Sequence, residues 1–360
     1  MCMQRGRNTT SIEELAAEPH AYLSLRKWAR ADGFFDLDNL TGSPQLLGEP
    51  LAPRPIRMPR SVPVIATVRF LLAKELDIFR MTRRVLKHHC ARSGATFVDS
   101  GHNEGSWSLM AAAYGCNVLA IDPQPHCGDL LRAAAIESGL TSRITMRNHV
   151  LAVDQGNTTA ITNFIVRVDQ CHGTSAFKPG GIVTDSTLPG RSAIRDIERR
   201  TPRSRAHEAG SSQFATVTPI SVDSLLAKRD GVVELWHLDV EGGEVGVLES
   251  AATALRGGQG IRRVMLEFMP WRWANFNVEL NHGFTRCAGV MRGWHCVWTC
   301  SIGNENTLPK FEFDRRMFAN YLHMINGKQK MCENVYCVAP DLGYELRTVS
   351  FEPPRSRAAV

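Results

Sequence analysis

The chain has 360 residues, of which 43% are hydrophobic and 22% are charged, and its formal net charge is +6. This composition is that of an ordinary soluble globular protein, and it argues against a disordered or fibrous chain. The mild positive charge gives no reason to expect a nucleic-acid partner. The longest early apolar stretch, residues 62–72, is interrupted by Arg69 and is too short to span a membrane.

Residues 1–60 are predicted to be an N-terminal extension that ends in an extended linker. Five prolines between Pro44 and Pro59 disfavour regular structure in this part. The extension shows no apolar segment typical of a secretion signal, so a cytoplasmic location is the default expectation. Apolar residues then recur at helical spacing between Val64 and Cys90, which predicts one or two helices before the main sheet.

From residue 95 onward, short β-branched runs alternate with helical patterns, as is typical of a parallel sheet with crossover helices. The predicted strands span residues 95–99, 117–122, 143–148, 232–239 and 261–268, and the predicted helices span 105–115, 126–138 and 243–256. Late strands near 294–300 and 334–339 complete a sheet of seven, the last of them antiparallel. The sequence therefore predicts a Rossmann-like α/β domain over residues 61–345, with a doubly wound, mostly parallel sheet, and a tail over 346–360.

An insertion, residues 154–215, separates the third and fourth predicted strands. Strand-like pieces at 160–168 and 181–184 predict a hairpin together with a mobile loop. Six arginines between Arg191 and Arg205 either meet an acidic partner or lie in a solvated loop, and the solvated loop is the simpler interpretation. Ligands of doubly wound sheets bind beyond the carboxyl ends of the strands, so the insertion is predicted to form a lid or an acceptor-binding wall there.

The ten cysteines contain no CxxC pair. Their closest spacings, Cys296 to Cys300 and Cys332 to Cys337, fall in predicted strand regions. This pattern favours reduced thiols in the core.

The most informative segment is a strand, a glycine loop and a helix, with the sequence FVDSGHNEGSWSL at residues 97–109. A dinucleotide site would have glycine where Asn103 stands, because backbone amides must approach a pyrophosphate closely. Asp99 is predicted to stand at the mouth of the loop, where its charge would repel phosphate and attract the amino group and sulfonium of S-adenosylmethionine. The charge pattern therefore favours a cationic cofactor over NAD.

A second acid, Asp122, ends the next strand 23 positions after Asp99 and is followed by Pro123, and both residues are candidates for contact with the cofactor. An acid at this place in a Rossmann unit can accept hydrogen bonds from both ribose hydroxyls. By itself the Asp-Pro pair would indicate a simple turn, but the preceding glycine loop favours the ribose interpretation. Asn148 and His149 follow the third strand, where an adenine ring would be held.

The third element is LWHLDVEGGE at residues 235–244, again a strand that leads through glycines into a helix. Alternation along the strand puts His237 and Asp239 on one face, so Asp239 is predicted at the carboxyl end beside the cofactor loop. Glu241 and Glu244 could instead cap the following helix, and capping or solvent exposure is favoured for Glu244. Farther on, Trp271, Trp273 and Phe276 either line an acceptor pocket or pack in the core.

Five motifs in this order, FVDSGHNEG, VLAIDPQP, ISVDSLL, LWHLDVEGGEVGVLESA and VMLEF, resemble those of the FkbM methyltransferase family over about residues 64–300. The resemblance implies a Rossmann-like, S-adenosylmethionine-dependent enzyme that methylates oxygens of sugars, polyketides or other small molecules. It implies that Asp122 binds ribose, that Asp239 and Glu241 belong to the DVEG motif, and that Asp99, Gly101, Asn103 and Gly105 form the methionine loop. His102 lies in the same loop and is a further candidate for contact with the cofactor. The chain departs from the family at His102, where a small apolar residue is common, and at Glu104, where an aliphatic residue is common.

Methyl transfer from a sulfonium chiefly requires that acceptor oxygen, methyl and sulfur are aligned, and the acceptor must also lose a proton. Asp239 is the first candidate for the base, and the other candidates are His237, Glu241, His102 and His172. Magnesium held by Asp239 and Glu241 is an alternative, although the sequence places too few oxygen ligands for it. Two further alternatives are an inactive, methyltransferase-like binding module and, ranked lowest, an NAD-dependent dehydrogenase.

Overall fold

A computed structural model describes residues 33–38, 50–60, 76–93, 95–152, 164–167, 171, 178–179, 214–217, 219–227, 229, 231–276, 278–299, 311–312 and 334–343. The strands are β1 (Phe34–Asp36), β2 (Arg57–Pro59), β3 (Thr96–Ser100), β4 (Asn117–Ile121), β5 (Ile144–Arg147), β6 (Val150–Leu151), β7 (Phe164–Arg167), β8 (Lys178–Pro179), β9 (Phe214–Val217), β10 (Pro219–Ile220), β11 (Val233–Leu238), β12 (Arg263–Glu267), β13 (His295–Trp298), β14 (Phe311–Glu312) and β15 (Asn334–Val338). The helices are α1 (Leu76–Ser93), α2 (Ser106–Ala113), α3 (Pro125–Glu137), α4 (Val222–Leu226), α5 (Glu244–Ser250), α6 (Ala252–Leu255) and α7 (Leu280–Val290), with 3-10 turns at Thr141–Arg143, Arg256–Gly258, Pro270–Phe276 and Pro340–Leu342.

The central sheet has the strand order β14-β13-β15-β12-β11-β3-β4-β5. Strands β3, β4, β5, β11 and β12 run parallel, and β15 lies antiparallel between β12 and β13. The chain builds outward from β3 to β5 and then returns to β11 on the other side of β3, so the topological switch point lies between β3 and β11. The predicted doubly wound, mostly parallel α/β sheet is confirmed, and the two-residue β14 adds an edge strand to the predicted seven.

The predicted elements of the sheet agree with the structure to within one or two residues at most ends. Strands predicted at 117–122 and 334–339 are found at Asn117–Ile121 and Asn334–Val338, and the second is antiparallel as predicted. The helix predicted over 243–256 is instead two short helices that meet at Ala251. Helix α1 fulfils part of the helical prediction before the sheet, and residues 64–75 lie outside the described ranges.

The described part of the N-terminal extension is folded against the domain, so the prediction of an extended linker is wrong for residues 50–60. Strands β1 and β2 form an antiparallel pair, and Leu51, Ile56 and Met58 are buried in the main core. The backbone NH of Arg57 also donates a hydrogen bond to Ser138 Oγ at the end of α3. Prolines are tolerated here because a strand at an edge or at its end does not need every backbone NH.

The described part of the insertion contains a small antiparallel sheet, in which β7 pairs with both β8 and β9. Strand β7 agrees with the strand-like piece predicted at 160–168. The strand predicted at 181–184 and the arginine-rich stretch lie outside the described residues. The chain rejoins the domain through β10, which pairs with β6.

Six of the seven described cysteines form disulfides, so the expectation of reduced core thiols is wrong. The pairs are Cys90–Cys116, Cys127–Cys171 and Cys296–Cys337, and the buried Cys287 is free. Sequence spacing could not reveal these pairs, because the partners lie 26 to 44 positions apart and meet only in the folded chain. No described helix is long and apolar enough to cross a lipid bilayer.

Candidate active site

Two of the predicted loops meet backbone to backbone at the switch point of the sheet. The NH of Gly101 donates to Ile121 O at 2.8 Å, and the NH of Asp239 donates to Ser100 O at 2.9 Å. Gly101 has φ of +78°, and a Cβ built on it would lie 1.7 Å from Asp239 O. Glycine is therefore required at position 101, because any side chain would separate the glycine loop from the loop that carries Asp239.

The rest of the glycine loop uses left-handed backbone to enter α2. Asn103 has φ of +50°, and Gly105 has φ of +92° at the N-cap of the helix. Asparagine is one of the few residues other than glycine that adopts this conformation readily. A Cβ on Gly105 would lie 2.5 Å from Leu131 Cδ1, so this glycine also permits close packing against α3.

Asp99 lies below the loop, with no solvent exposure, so the expectation that it stands at the loop mouth is wrong. Its Oδ1 is 2.8 Å from His237 Nδ1, and its Oδ2 accepts a hydrogen bond from Ser108 Oγ at 2.5 Å. Trp107 lies against the His237 ring, with 5.0 Å between ring centroids. Asp99 and His237 are register partners on β3 and β11, which explains why the two side chains meet on one face of the sheet.

Asp122 is buried at the end of β4 and joins the glycine loop to the following turn. Its Oδ2 accepts the NH of Asn103 at 3.1 Å, and its Oδ1 accepts the NH of Gln124 at 2.8 Å. Burial raises the pKa of Asp122, and the nearby His102 opposes that rise. The Asp122 side chain therefore stabilises both the turn that follows β4 and the glycine loop that was predicted to hold a cofactor.

The residues predicted to contact the ribose and the adenine of the cofactor follow the neighbouring strands β4 and β5. Pro123 and His149 are half-buried, and Asn148 is exposed. The Oδ1 of Asn148 lies 3.2 Å from the position that a Cβ on Gly128 would take, which places Asn148 beside the start of α3. Their predicted contacts with the cofactor stay predictions.

Glu104 is a site residue that sequence reasoning missed. It is 3% exposed, and its Oε1 accepts a hydrogen bond from Ser106 Oγ at 2.6 Å. Its Oε2 is buried without a hydrogen-bond partner among the described residues. The pKa of Glu104 is raised from 4.5 to about 7, chiefly by burial; the hydrogen bond from Ser106 opposes this rise, and the charges of Asp99 and Asp239 add smaller contributions to it. Its departure from the family pattern was visible in the sequence, but its burial among other acids was not.

His102, the other departure from the family pattern, is also buried in the glycine loop. Its Nδ1 lies 2.8 Å from Asn103 O, and its Nε2 has no partner within the part of the chain that the structure describes. His102 also lies close enough to Asp122 for their charges to interact. His172, the remaining candidate base, lies outside the described residues.

Three acidic side chains gather where β11 and β12 end. Leu238 and Leu266 are register partners on these strands, so Asp239 and Glu267 come next to one another at the carboxyl edge. One ligand atom from each of Asp239, Glu241 and Glu267 lies within 4.8 Å of the other two. Glu267 was missed as a site residue, although its position directly after the buried run of the VMLEF motif was a usable signal.

Glu241 is held in a left-handed conformation, with φ of +56°, and forms an ion pair with Arg272. Asp239 is half-buried, and its Oδ1 is shielded from solvent without a hydrogen-bond partner among the described residues. The structure thus brings Asp239 and Glu241 together as predicted. His237 lies deeper in the domain, where it contacts Asp99 and is only 5% exposed.

Glu244 is buried at the start of α5, so solvent exposure is excluded for it. It accepts hydrogen bonds from the NH of Gly242 at 2.6 Å and from Trp273 Nε1 at 2.7 Å. Burial raises its pKa from 4.5 to about 7. Trp273 is fully buried and Trp271 is 40% exposed, so the aromatic residues of this turn divide between the core and the surface.

The sequence profile of the methyltransferase FkbM domain matches residues 99–282, which is just over half of the chain. No curated protein shows a significant match. Among solved structures, the METTL16 MTase domain aligns over 76% of this chain and 85% of its own, with 11% identity and a TM-score of 0.29. The crystal structure of PRMT6 aligns over 25% of this chain and only 26% of its own, with 21% identity and a TM-score of 0.22. The profile match covers the glycine loop, Asp122 and the Asp239 loop, and on this match the chain belongs to the FkbM methyltransferase family.

Proposed function

We propose that this FkbM-family protein transfers the methyl group of S-adenosylmethionine to a hydroxyl oxygen of a small molecule, such as a sugar or a polyketide. The observation that carries the proposal is the backbone contact between Gly101 and Asp239. It joins the predicted cofactor loop to the acids at the end of β11, at the switch point where doubly wound sheets bind ligands.

The charge around this contact supports a cationic cofactor. The charges of Asp99 and Asp239 both act on Glu104, and the glycine loop carries no lysine or arginine. Such a site disfavours a pyrophosphate and favours a sulfonium and an ammonium group. This electrostatic preference supports S-adenosylmethionine over NAD.

We assign the cofactor contacts by position in the fold. The loop with Asp99, Gly101, His102, Asn103 and Gly105 would surround the methionine part, with Asp99 acting through its charge because both its oxygens have protein partners. In the same proposal, ribose contacts fall to Asp122 and Pro123, and adenine contacts fall to Asn148 and His149. The open lone pairs of the Asp122 carboxylate, which accepts one backbone NH on each oxygen, leave room for ribose hydroxyls.

The bound cofactor would supply an electrophilic methyl group with a good leaving group, so the chain has to align the acceptor and help it to lose a proton. We assign Asp239 to the reacting centre, because its carboxylate lies beside the glycine loop and retains an oxygen without a partner among the described residues. Glu241 lies beside it and is oriented by Arg272. His237 is a positioning residue in this proposal, because its Nδ1 engages Asp99 beneath the site.

The disulfides bear on where this activity takes place. Three disulfides are typical of a protein that folds in an oxidising compartment. They therefore favour such a compartment over the cytoplasmic location that the N-terminal sequence suggested.

A calorimetric titration with S-adenosylmethionine and S-adenosylhomocysteine, followed by a screen of hydroxylated acceptors for methyl transfer, tests the proposal. Asp239→Asn should keep its affinity for S-adenosylhomocysteine and lose about 100-fold or more in turnover. Glu137→Gln, an exposed change of the same charge at the end of α3, should lose neither. Absence of binding by the wild type would overturn the proposal. Tight binding with no transfer to any acceptor, together with a normal fold, would favour the inactive binding module.

A further inference from the structure

The disulfide Cys127–Cys171 lies against the proposed cofactor loop. Cys127 is fully buried near the start of α3, and Cys171 is half-buried and belongs to the insertion. The Sγ of Cys171 lies 3.0 Å from Oδ1 of Asn103 in the glycine loop. Because a disulfide sulfur carries no proton, this approach is a packing contact and not a hydrogen bond donated by sulfur. The disulfide therefore joins the insertion to both α3 and the glycine loop.

A closed ring of contacts connects this disulfide with Asp122. The Asp122 carboxylate accepts the NH of Asn103 on one oxygen and the NH of Gln124 on the other. The NH of Cys127 donates to Gln124 O at 3.1 Å. The bond from Cys127 to Cys171 and the contact of Cys171 with Asn103 complete the ring. The glycine loop and the turn after β4 are thus joined twice, by the Asp122 carboxylate and by the disulfide.

The ring holds a backbone conformation that is costly for a residue with a side chain. Asn103 has φ of +50°, which lies in the left-handed region. Such conformations persist where the surrounding structure fixes them from more than one side. Here Asp122 holds the NH of Asn103, and Cys171 packs against its side chain. The disulfide therefore helps to set the shape of the glycine loop.

The other half of the disulfide adjoins the residue that we assign to adenine. Gly128 follows Cys127 in α3, and a Cβ on Gly128 would lie 3.2 Å from Oδ1 of Asn148. One covalent bond therefore adjoins both the loop assigned to the methionine part of the cofactor and the residue assigned to its adenine.

We propose that Cys127 and Cys171 are positioning residues for S-adenosylmethionine, and that their disulfide locks the glycine loop and the turn after β4 in the arrangement that binds it. This inference rests on the proposed function and adds that cofactor affinity depends on this one bond. Without the bond, the insertion loses its covalent tie to α3, and Asn103 loses the atom against which its side chain packs. The cofactor then has to order the loop as it binds, which weakens binding.

The disulfide Cys90–Cys116 provides a matched control. It links positions 26 apart, against 44 for Cys127–Cys171, so loss of either bond should destabilise the fold to a similar extent. Cys116 directly precedes β4, which places the control bond at the amino edge of the parallel strands. The proposed cofactor site lies at the opposite, carboxyl edge. A loss of affinity that is confined to the Cys127–Cys171 pair therefore separates positioning from stability.

Calorimetric titration with S-adenosylhomocysteine and hydrogen exchange followed by mass spectrometry test the proposal on full-length chains. We expect Cys127→Ala/Cys171→Ala to bind about tenfold or more weakly than the wild type, and Cys90→Ala/Cys116→Ala to bind as the wild type does. Without ligand, peptides that cover residues 101–105 should exchange faster in the first variant alone. If that variant does not fold, Cys171→Ala takes its place, because it keeps the buried Cys127 side chain.

Wild-type affinity in a folded Cys127→Ala/Cys171→Ala variant would overturn the positioning role, even if its glycine loop exchanged faster. An equal loss of affinity in Cys90→Ala/Cys116→Ala would also overturn it, because the effect would then follow stability. Failure of the wild type to bind S-adenosylmethionine would refute the proposed function instead. The exchange rates of residues 101–105 would then decide alone whether the disulfide holds the glycine loop.

Discussion

Replacing Gly101 by alanine should break the contact on which the proposed site depends. The new Cβ would lie 1.7 Å from Asp239 O, whereas real Cβ contacts stay above 3.0 Å, so the loops must separate by about 1.3 Å. Alanine would also pay about 1–2 kcal/mol for the left-handed backbone. Because a misplacement of roughly 1 Å can cost about 100-fold in rate, we expect turnover to fall by about that factor.

Gly139→Ala provides a matched control for this substitution. Gly139 has φ of +65°, close to that of Gly101, but nothing lies within 4 Å of the position of its Cβ. It should therefore lose stability through the backbone alone and keep its affinity for S-adenosylhomocysteine. Urea unfolding and calorimetric titration of the two variants separate the backbone effect from the clash.

The comparison has a clear refuting result. If Gly101→Ala and Gly139→Ala lose the same free energy of unfolding and bind S-adenosylhomocysteine equally well, the close approach to Asp239 does not matter for the site. A larger loss of stability and weaker binding by Gly101→Ala alone would support the packing of the two loops as described.

Three further predictions concern the cofactor, the buried acids and the disulfides. Asp122→Asn should weaken S-adenosylhomocysteine binding at least tenfold in calorimetry, and unchanged affinity would contradict its ribose role. Burial raises the pKa of Glu104 in the folded state from 4.5 to about 7. Between these pH values the unfolded chain loses this proton more readily than the folded chain, so the free energy of unfolding should fall by roughly 3 kcal/mol as the pH rises. Glu104→Leu should remove this part of the pH dependence in urea unfolding at pH 5 and 8, and an unaltered slope would argue against the burial. Replacing Cys90 and Cys116 together by alanine should lower the free energy of unfolding by about 3.5 kcal/mol, because the disulfide closes a loop of 26 residues. Mass spectrometry that finds both thiols free in the wild type would refute the bond.

Local patterns were sufficient to predict the sheet and its loops. The alternation of apolar runs with helical spacing located β3, β4, β5, β11 and β12, because buried parallel strands are apolar along most of their length. The acids and glycines after these strands located the candidate site, because the carboxyl ends of parallel strands meet at one edge.

Contacts between segments far apart in the sequence could not be predicted in the same way. The pairing of Cys296 with Cys337 depends on the register of β13 with β15, and the approach of Glu267 to Asp239 depends on the register of β12 with β11. The pairing of β1 with β2 was missed for a related reason. Prolines that argue against a central strand are compatible with an edge strand whose apolar side chains reach an existing core.

The burial of Asp99 changes how its charge would select a ligand. An acid at the loop mouth would bind an ammonium or sulfonium directly, and solvent would screen its charge. In the structure, its oxygens engage His237 and Ser108, yet its charge still acts on Glu104 and Asp122, whose pKa values it raises. In surroundings of lower effective dielectric constant this field extends farther than it would in water. The preference for a positive ligand therefore does not require Asp99 to touch it, and replacing the Asp99 partner His237 by phenylalanine should alter cofactor affinity without removing any cofactor contact.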